Sequence, residues 1–351
     1  MDLYPLKFKP WLRTMVWGGE KIAKFKDIFT TINRIGESWE ISAVEGHVSV
    51  VANGPLAGKS LTELMHMFKS RLVGKKVWHD TGDEFPLLIK FIDAKDDLSI
   101  QVHPGDELAA RTNPGMKGKT EMWYVVEADS DARVISGFRR DSDAEEYQAA
   151  LATGHLTALL HEEHPTAGDV YFIPAGRVHA LGKGMMVAEI QQTSDCTYRI
   201  YDYDRRDADG KLRQLHTAEA LDAIDFHGVG PRAHTQYQAQ LNSFTTVAAC
   251  PYFTTRILPF DTPIRKNLED HDSFTIYICV EGLTAVKSME TIVPMHVGEC
   301  VLVPAVADSV ELYSEGAATL LEVTVDTQGW DDAPSTDRDW VARFVGDGEG
   351  L

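Results

Sequence analysis

The sequence predicts a mainly β chain built as two jelly-roll barrels with short helical insertions. Three observations carry that expectation. Short runs rich in aromatic and β-branched residues recur between Gly, Pro and Asn turn signals. Strands do not alternate regularly with helices, as a parallel α/β fold would require. One unit also occurs twice: Gly168-Asp-Val-Tyr-Phe-Ile-Pro-Ala175 and Gly298-Glu-Cys-Val-Leu-Val-Pro-Ala305 both read Gly, acid, four apolar residues, Pro, Ala. Upstream, Met122-Trp-Tyr-Val-Val-Glu127 matches Thr275-Ile-Tyr-Ile-Cys-Val-Glu281 with one residue of slack. A duplicated β unit is the economical explanation.

At 351 residues the chain is long enough for two cores. The expected division is a metal-binding domain over 1–235, with helical insertions at about 56–80 and 140–162, followed by a degenerate barrel over 236–351. In the second copy the residue that counts into the place of His179 is Ser309, so that barrel is expected to keep the scaffold without a metal. A formal charge of −19 excludes a general nucleic-acid or anionic-membrane surface. Four scattered cysteines, none in a CxxC pair, fit reduced thiols in the cytoplasm. No signal peptide and no apolar run of spanning length is expected.

In chain order, Met15-Val-Trp-Gly-Gly19 reads as a turn where backbone passes close to something. Gly36 to Ser42 and His47 to Val51 read as strands. Ser60-Leu-Thr-Glu63 is a capping box that opens a helix with Leu61, Leu64, Met65 and Phe68 on one face. Phe85 to Ile92 is a buried strand in which Lys90 is the one charge. Leu98 to Pro104 is a short strand, and Asp106 to Arg111 a helical turn. Lys119 to Val126 is a strand, Asp141 to Leu160 a helical insertion, and Val178–Leu181, Met186–Gln192 and Tyr198–Tyr203 further strands. His216 to Asp225 is a short helix, and Gly228 to Gln240 the best linker. Strands resume from about residue 244 to Val325.

Gln101 and His103 lie two apart on a strand, hence on one face. With Glu121 and His179 they make a set of two imidazoles, a carboxylate and an amide oxygen, suited to Zn²⁺ and also to Mn²⁺, Fe²⁺ or Co²⁺. Each residue alone has an ordinary structural explanation; the combination on strand-like segments is what points to a metal. The absence of cysteine from the set favours an open catalytic site. Lys119 shares a face with Glu121, and Arg199 follows close on the His179 strand. No GxSxG, GxGxxG or P-loop is present, so a covalent mechanism has no support.

Together Gln101-Val-His103-Pro, Lys119-Thr-Glu121, Pro174-Ala-Gly-Arg-Val-His179 and Ser194-Asp-Cys-Thr-Tyr-Arg199 resemble the type I mannose-6-phosphate isomerases of the cupin superfamily, most of all their compact bacterial branch. Trp17-Gly-Gly19 and Gly36 to Ser42 resemble that branch's N-terminal signature. The likeness covers most of residues 1–205 and extends more loosely beyond. It implies one Zn²⁺ per chain held by Gln101, His103, Glu121 and His179. It also implies a catalytic arginine at Arg199, with Lys119 and Asp195 matching a lysine and an acid of larger relatives. The large helical domain of the eukaryotic forms is missing here.

The implied reaction interconverts mannose 6-phosphate and fructose 6-phosphate through a cis-enediolate. Lys119, Asp195 or a water on the metal are candidates for proton transfer. Lys90, Arg13 or Arg177 are candidates to meet the phosphate. An Fe(II) cupin oxygenase and a non-catalytic sugar-phosphate-binding cupin remain as alternatives. The expected partner is a small sugar phosphate, with no nucleic acid and no membrane. A monomer or a weak dimer is expected, and the sequence does not choose between them.

Overall fold

Alternating β-branched and aromatic residues become antiparallel strands in a computed structural model that describes residues 2–112, 114–206, 209–229 and 234–325. The chain opens with β1 (Phe8–Lys9), β2 (Trp11–Gly19), α1 (Lys21–Phe25), β3 (Ile35–Ile41) and β4 (Val50–Val51). Three helices follow, α2 (Leu61–Phe68), α3 (Ser70–Val73) and α4 (Lys75–Thr81), then β5 (Leu87–Ala94), β6 (Ile100–Val102) and α5 (Asp106–Thr112). Next come β7 (Glu121–Ala128), β8 (Val134–Phe138), α6 (Ala144–Ala152), β9 (Leu160–Glu163), β10 (Val170–Ile173), β11 (His179–Leu181), β12 (Met185–Gln192), β13 (Tyr198–Tyr201) and α7 (Thr217–Ala223). The last part is all strand: β14 (Thr245–Ala249), β15 (Thr254–Phe260), β16 (Ile264–Asn267), β17 (Thr275–Glu281) and β18 (Thr284–Ser288). It ends with β19 (Thr291–Met295), β20 (Cys300–Val303), β21 (Ser309–Ser314) and β22 (Ala318–Thr324).

The first barrel pairs a six-stranded sheet, β10-β7-β12-β5-β2-β3, with a five-stranded one, β13-β6-β11-β8-β9. The second repeats this with β14-β15-β22-β17-β20 against β16-β21-β18-β19. The two-barrel, mainly β expectation holds. Trp17, Trp123, Tyr171, Leu181 and Val187 fill the first barrel between its sheets. Outside its five-stranded sheet, Ile100, Val102 and Ala180 pack with Tyr147 of α6 and Ala220 of α7. The outer faces of the two large sheets share one core with α2, including Ile89, Ala188 and Ile190 from one side and Ile276, Leu302 and Leu321 from the other.

Sequence signals placed most elements and mistook a few. The Ser60 capping box forms, with Glu63 N–H donating to Ser60 Oγ at 3.2 Å and Ser60 N–H to Glu63 Oε2 at 2.7 Å. Met15 to Gly19 is part of strand β2 and not a turn. The close passage is real, since a Cβ on Gly18 would lie 2.3 Å from Arg34 O. The expected strand at His47–Val51 shrinks to Val50–Val51. The helix at 141–160 stops at Ala152, and β8 and β9 on either side of it were not foreseen. Part of the Gly228–Gln240 linker lies outside the described residues; within them, Thr235 bridges to Val170. Leu6 exchanges backbone hydrogen bonds with Leu302 at 2.8 and 2.9 Å, so the N-terminal segment is seated on the second barrel.

The internal echo is right, but the counting of Ser309 onto His179 is not. Val310 lies in the interior of the second barrel with Leu312, whereas Ser309 pairs with exposed Asn267. The turn after Val303 delivers β21 one residue out of phase with β11. No helix among the described residues is long and apolar enough to cross a membrane.

Candidate metal centre and active site

Strand register gathers the site. His179 is the Cα partner of Gln101, and Gln101 is also the partner of Arg199. Directly paired residues project from the same face. Arg199, Gln101 and His179 therefore form a row across β13, β6 and β11, aimed into the first barrel. Glu121 starts β7 on the opposite sheet, and His103 follows the end of β6.

His103, Glu121 and His179 are buried, and their candidate ligand atoms all lie within 4.8 Å of one another. His103 Nε2 is 3.5 Å from Glu121 Oε2, and His179 Nε2 is 3.3 Å from Glu121 Oε1. The Nδ1 of His103 meets Cys196 O at 2.8 Å, and that of His179 meets Arg177 O at 2.8 Å. Since a carbonyl can only accept, each Nδ1 carries the proton and each Nε2 turns a lone pair to the centre. His103 Nε2 and both Glu121 oxygens make no hydrogen bond of good geometry. Buried lone pairs left in that state on two sides of one point fit a divalent cation. Gln101 supplies an amide nitrogen 3.2 Å from His179 Nε2, which brings its carboxamide to the same point.

Charge around the centre is arranged in pairs. Lys119 Nζ lies 2.8 Å from Glu121 Oε2 and 3.4 Å from Glu189 Oε1, and Lys90 Nζ lies 3.2 Å from Glu189 Oε1. All four are buried. Burial works against the Lys119 charge, but Glu121 and Glu189 outweigh it and hold the ammonium above its ordinary pKa. Burial, then the Glu121 carboxylate, push Glu189 up to about 7. Burial, then Lys119, lower His103 to about 3, so it stays neutral as a ligand must.

The remaining expected residues are less central. Arg199 is half-buried, its Nη1 donates to Gln214 O at 3.0 Å, and its Nε has no hydrogen-bond partner. Burial and then Arg213 lower its pKa, while Asp202 is committed to Arg205 and Arg213 at 2.6 and 2.7 Å. Asp195 is exposed and acts on Lys119 only as a more distant charge. Of the proposed phosphate partners, Lys90 is paired with Glu189. Arg13 is paired with Glu37 at 3.1 Å, and Arg177 Nη1 donates to Phe172 O at 2.8 Å. Sequence reasoning missed Glu189 altogether. The available signal was Lys90, a lone charge in a buried strand that required a partner across the sheet, and Glu189 is its register partner.

Comparisons with known proteins show the family of the chain. The family model "Phosphomannose isomerase type I, catalytic domain" matches residues 6–114. The mannose-6-phosphate isomerase ManA of Bacillus subtilis (strain 168) is 37% identical over 306 residues, covering 87% of this chain and 94% of that protein. A mannose-6-phosphate isomerase of Streptococcus mutans is 37% identical over 250 residues, covering 71% of this chain and 77% of its own. The crystal structure of the mannose 6-phosphate isomerase from Bacillus subtilis superposes with a TM-score of 0.78 at 32% identity, covering 91% of this chain and 99% of that one. This chain belongs to the family of type I mannose-6-phosphate isomerases.

Proposed function

We propose that the protein is a metal-dependent aldose–ketose isomerase that interconverts mannose 6-phosphate and fructose 6-phosphate, with Zn²⁺ held by Gln101, His103, Glu121 and His179. The observation that carries this reading is the buried His103–Glu121–His179 set, in which His103 Nε2 and both Glu121 oxygens lack a well-formed hydrogen bond, with Lys119 and Arg199 beside it. Family membership supports the substrate, and the donor set supports zinc. When bound, the ion supplies Lewis-acid polarisation of the substrate oxygens.

The chain's own groups account for the rest. Arg199 has no carboxylate partner among the described residues, and beyond the Nη1 bond to Gln214 O the rest of its planar donor fork is left to hold the developing enediolate oxygens. Lys119 is fixed as a cation and adds a donor. Its high pKa makes it a poor resting base, and Arg199 is a poorer one. Glu189 lies between Lys119 and Lys90 and is the buried carboxyl placed to pass a proton between C1 and C2; Asp195 is left as a rim residue that tunes the field. Every buried lysine is matched by a glutamate, so the surplus positive charge comes from Arg199 and the ion. That surplus suits a phosphate ester carrying close to two negative charges. The division near residue 235, with chemistry in the first barrel alone, and a cytoplasmic location belong to the same proposal.

A coupled assay for fructose 6-phosphate formation from mannose 6-phosphate, with and without chelator, tests the reading. Turnover is expected to vanish on full metal removal and to return with Zn²⁺. Activity that survives complete removal overturns metal dependence. Oxygen consumption, or tight sugar-phosphate binding without turnover, points instead to the oxygenase or the binding protein.

A further inference from the structure

The second barrel touches the first beside the metal ligands. Residues 118–120 lead into Glu121, and each is tied down from elsewhere. Lys119 N–H donates to Pro104 O at 3.0 Å, directly after His103. Gly118 N–H donates to Asp106 Oδ1 at 2.7 Å, and Thr120 N–H donates to Gln192 Oε1 at 2.8 Å. Gln192 Nε2 donates back to Asp106 Oδ1 at 3.2 Å. One carboxylate thus joins the start of α5, the entry to β7 and the end of β12. The fit is close: a Cβ on Gly118 would lie 2.5 Å from Asp106 N.

The other oxygen of Asp106 faces the second barrel. Asp106 Oδ2 accepts from the Tyr252 hydroxyl at 2.7 Å, and Tyr252 lies in the turn between β14 and β15. A cavity of about 310 Å³ opens beside the contact, lined by Tyr252, Asp106, Gln192, Met116 and Lys117 among others. The hydroxyl contact therefore sits at the edge of a cleft, while the Tyr252 ring packs against the core that the two large sheets share. Three hydrogen bonds lead from it to the residues just before Glu121.

We infer that Tyr252 is a positioning residue for the first barrel's metal site. Through Asp106 and Gln192 the second barrel sets where Lys119 and Glu121 stand relative to His103. The kinetic part of this inference rests on the isomerase reading; the metal-exchange part does not.

The test is Tyr252→Phe, measured in the full chain. At this exposed edge the bond is assigned the ordinary net strength of a hydrogen bond, which corresponds to a roughly three- to tenfold effect. The kcat for mannose 6-phosphate is expected to fall by about that factor with KM nearly unchanged, and release of Zn²⁺ to a chelator to accelerate similarly. Hydrogen exchange of a peptide spanning 117–121 in the metal-free protein is expected to rise, and the double variant with Asp106→Asn to lose no more than Asp106→Asn alone. Lys7→Gln is the control: it removes the 2.6 Å contact with Glu299, another tie to the second barrel that shares no residue with the Asp106 network. It is expected to move none of these readouts. Wild-type kcat, metal release and exchange in Tyr252→Phe overturn the inference, as does an equal effect of Lys7→Gln, which would mean general loosening. If the wild-type protein does not turn over mannose 6-phosphate, the isomerase reading fails, while metal release and exchange still decide the role of Tyr252.

Discussion

The two barrels build the same interior row and finish it differently. In the first, Glu189 on β12 is flanked in register by Lys90 on β5 and Trp123 on β7. In the second, Glu322 on β22 is flanked by Arg256 on β15 and Tyr277 on β17. The ligand positions then diverge. The pair Gln101–His179 is matched by the interior pair Lys266–Val310, and Glu121 by Thr275. Lys266 Nζ comes within 2.7 Å of Glu322 Oε2, with the Tyr277 hydroxyl at 2.9 Å and Arg256 Nη1 at 3.0 Å from that carboxylate. Lys266, at the place of Gln101, thus meets in the second barrel the carboxylate that Lys90 and Lys119 meet in the first. A polar row in a barrel interior is tolerable when each carboxylate meets fixed positive charge. In the first barrel His103 Nε2 and both Glu121 oxygens are left without a well-formed hydrogen bond, whereas the Glu322 oxygens are met.

The sharpest way to break this contrast is His103→Ala. It is expected to abolish stoichiometric metal binding, read by elemental analysis of dialysed protein, and with it the isomerase activity. A full metal complement in that variant contradicts the ligand assignment. Arg199→Ala comes next, with kcat expected to drop on the order of 10²-fold, as for removal of a donor to a developing oxyanion. Metal content should be retained, and unchanged turnover would remove Arg199 from the chemistry. In the second barrel, Glu322→Leu strands Arg256 and Lys266. Its expected effect is a loss of about 3 kcal/mol in chemical denaturation, since both cations can turn partly to water. The kcat should be unaffected; a collapse of kcat at wild-type stability would mean that the barrels do not divide their tasks this way.

How much of this was legible in the sequence depends on how local each signal is. Gln101 with His103, and Lys119 with Glu121, are pairs two apart on strands, so period-2 geometry alone sets them on one face. His179 and Arg199 joined them through recognisable motifs. Glu189 did not stand out because Met-Met-Val-Ala-Glu-Ile-Gln-Gln reads like an ordinary strand with a polar edge. In the fold every residue of β12 is buried, and that follows from sheet order and not from the local pattern. Strand β8 was hidden for a related reason: Ser136 and Gly137 interrupt its apolar run, although Ser136 is the register partner of His179. The phase slip at Ser309 is a property of a turn, and residue counting cannot detect it.

Acid should act on the two barrels unequally. In the metal-free protein His103 stays neutral down to about pH 3, while in the unfolded chain it takes up a proton near its ordinary 6.5. The unfolded state thus binds more protons between these values, so stability falls as pH drops from about 6.5 toward 3. His179 is shifted the same way, chiefly by burial. The Glu322 cluster of Arg256, Lys266 and Tyr277 contains no histidine. Melting of the chelated protein is expected to fall between pH 7.5 and 5.5, with a smaller fall in His103→Gln. An equal pH dependence in that variant would move the effect elsewhere.

The smallest expected effect concerns the outer surfaces. The five-stranded sheet of the first barrel is apolar outside and needs α6 and α7 to cover Ile100, Val102 and Ala180. The corresponding sheet of the second barrel carries Arg265, Lys287, Glu311 and Tyr313 on that face, with Lys287 and Glu311 paired at 3.3 Å, and water suffices as cover. Helix α6 is started by Asp143, whose side chain accepts from Glu146 N–H at 2.8 Å. Asp143→Ala removes that cap and should lower stability by about 1 kcal/mol. Hydrogen exchange should rise over residues 144–158 and in β6, and stay unchanged over β16 to β21. The asymmetry is the point of the measurement, because a helix that shields a ligand-bearing strand is required only where the strand's other face is occupied by ligands. Uniform loosening of both barrels would mean that α6 contributes to the whole molecule and is not a cover for the metal-bearing sheet.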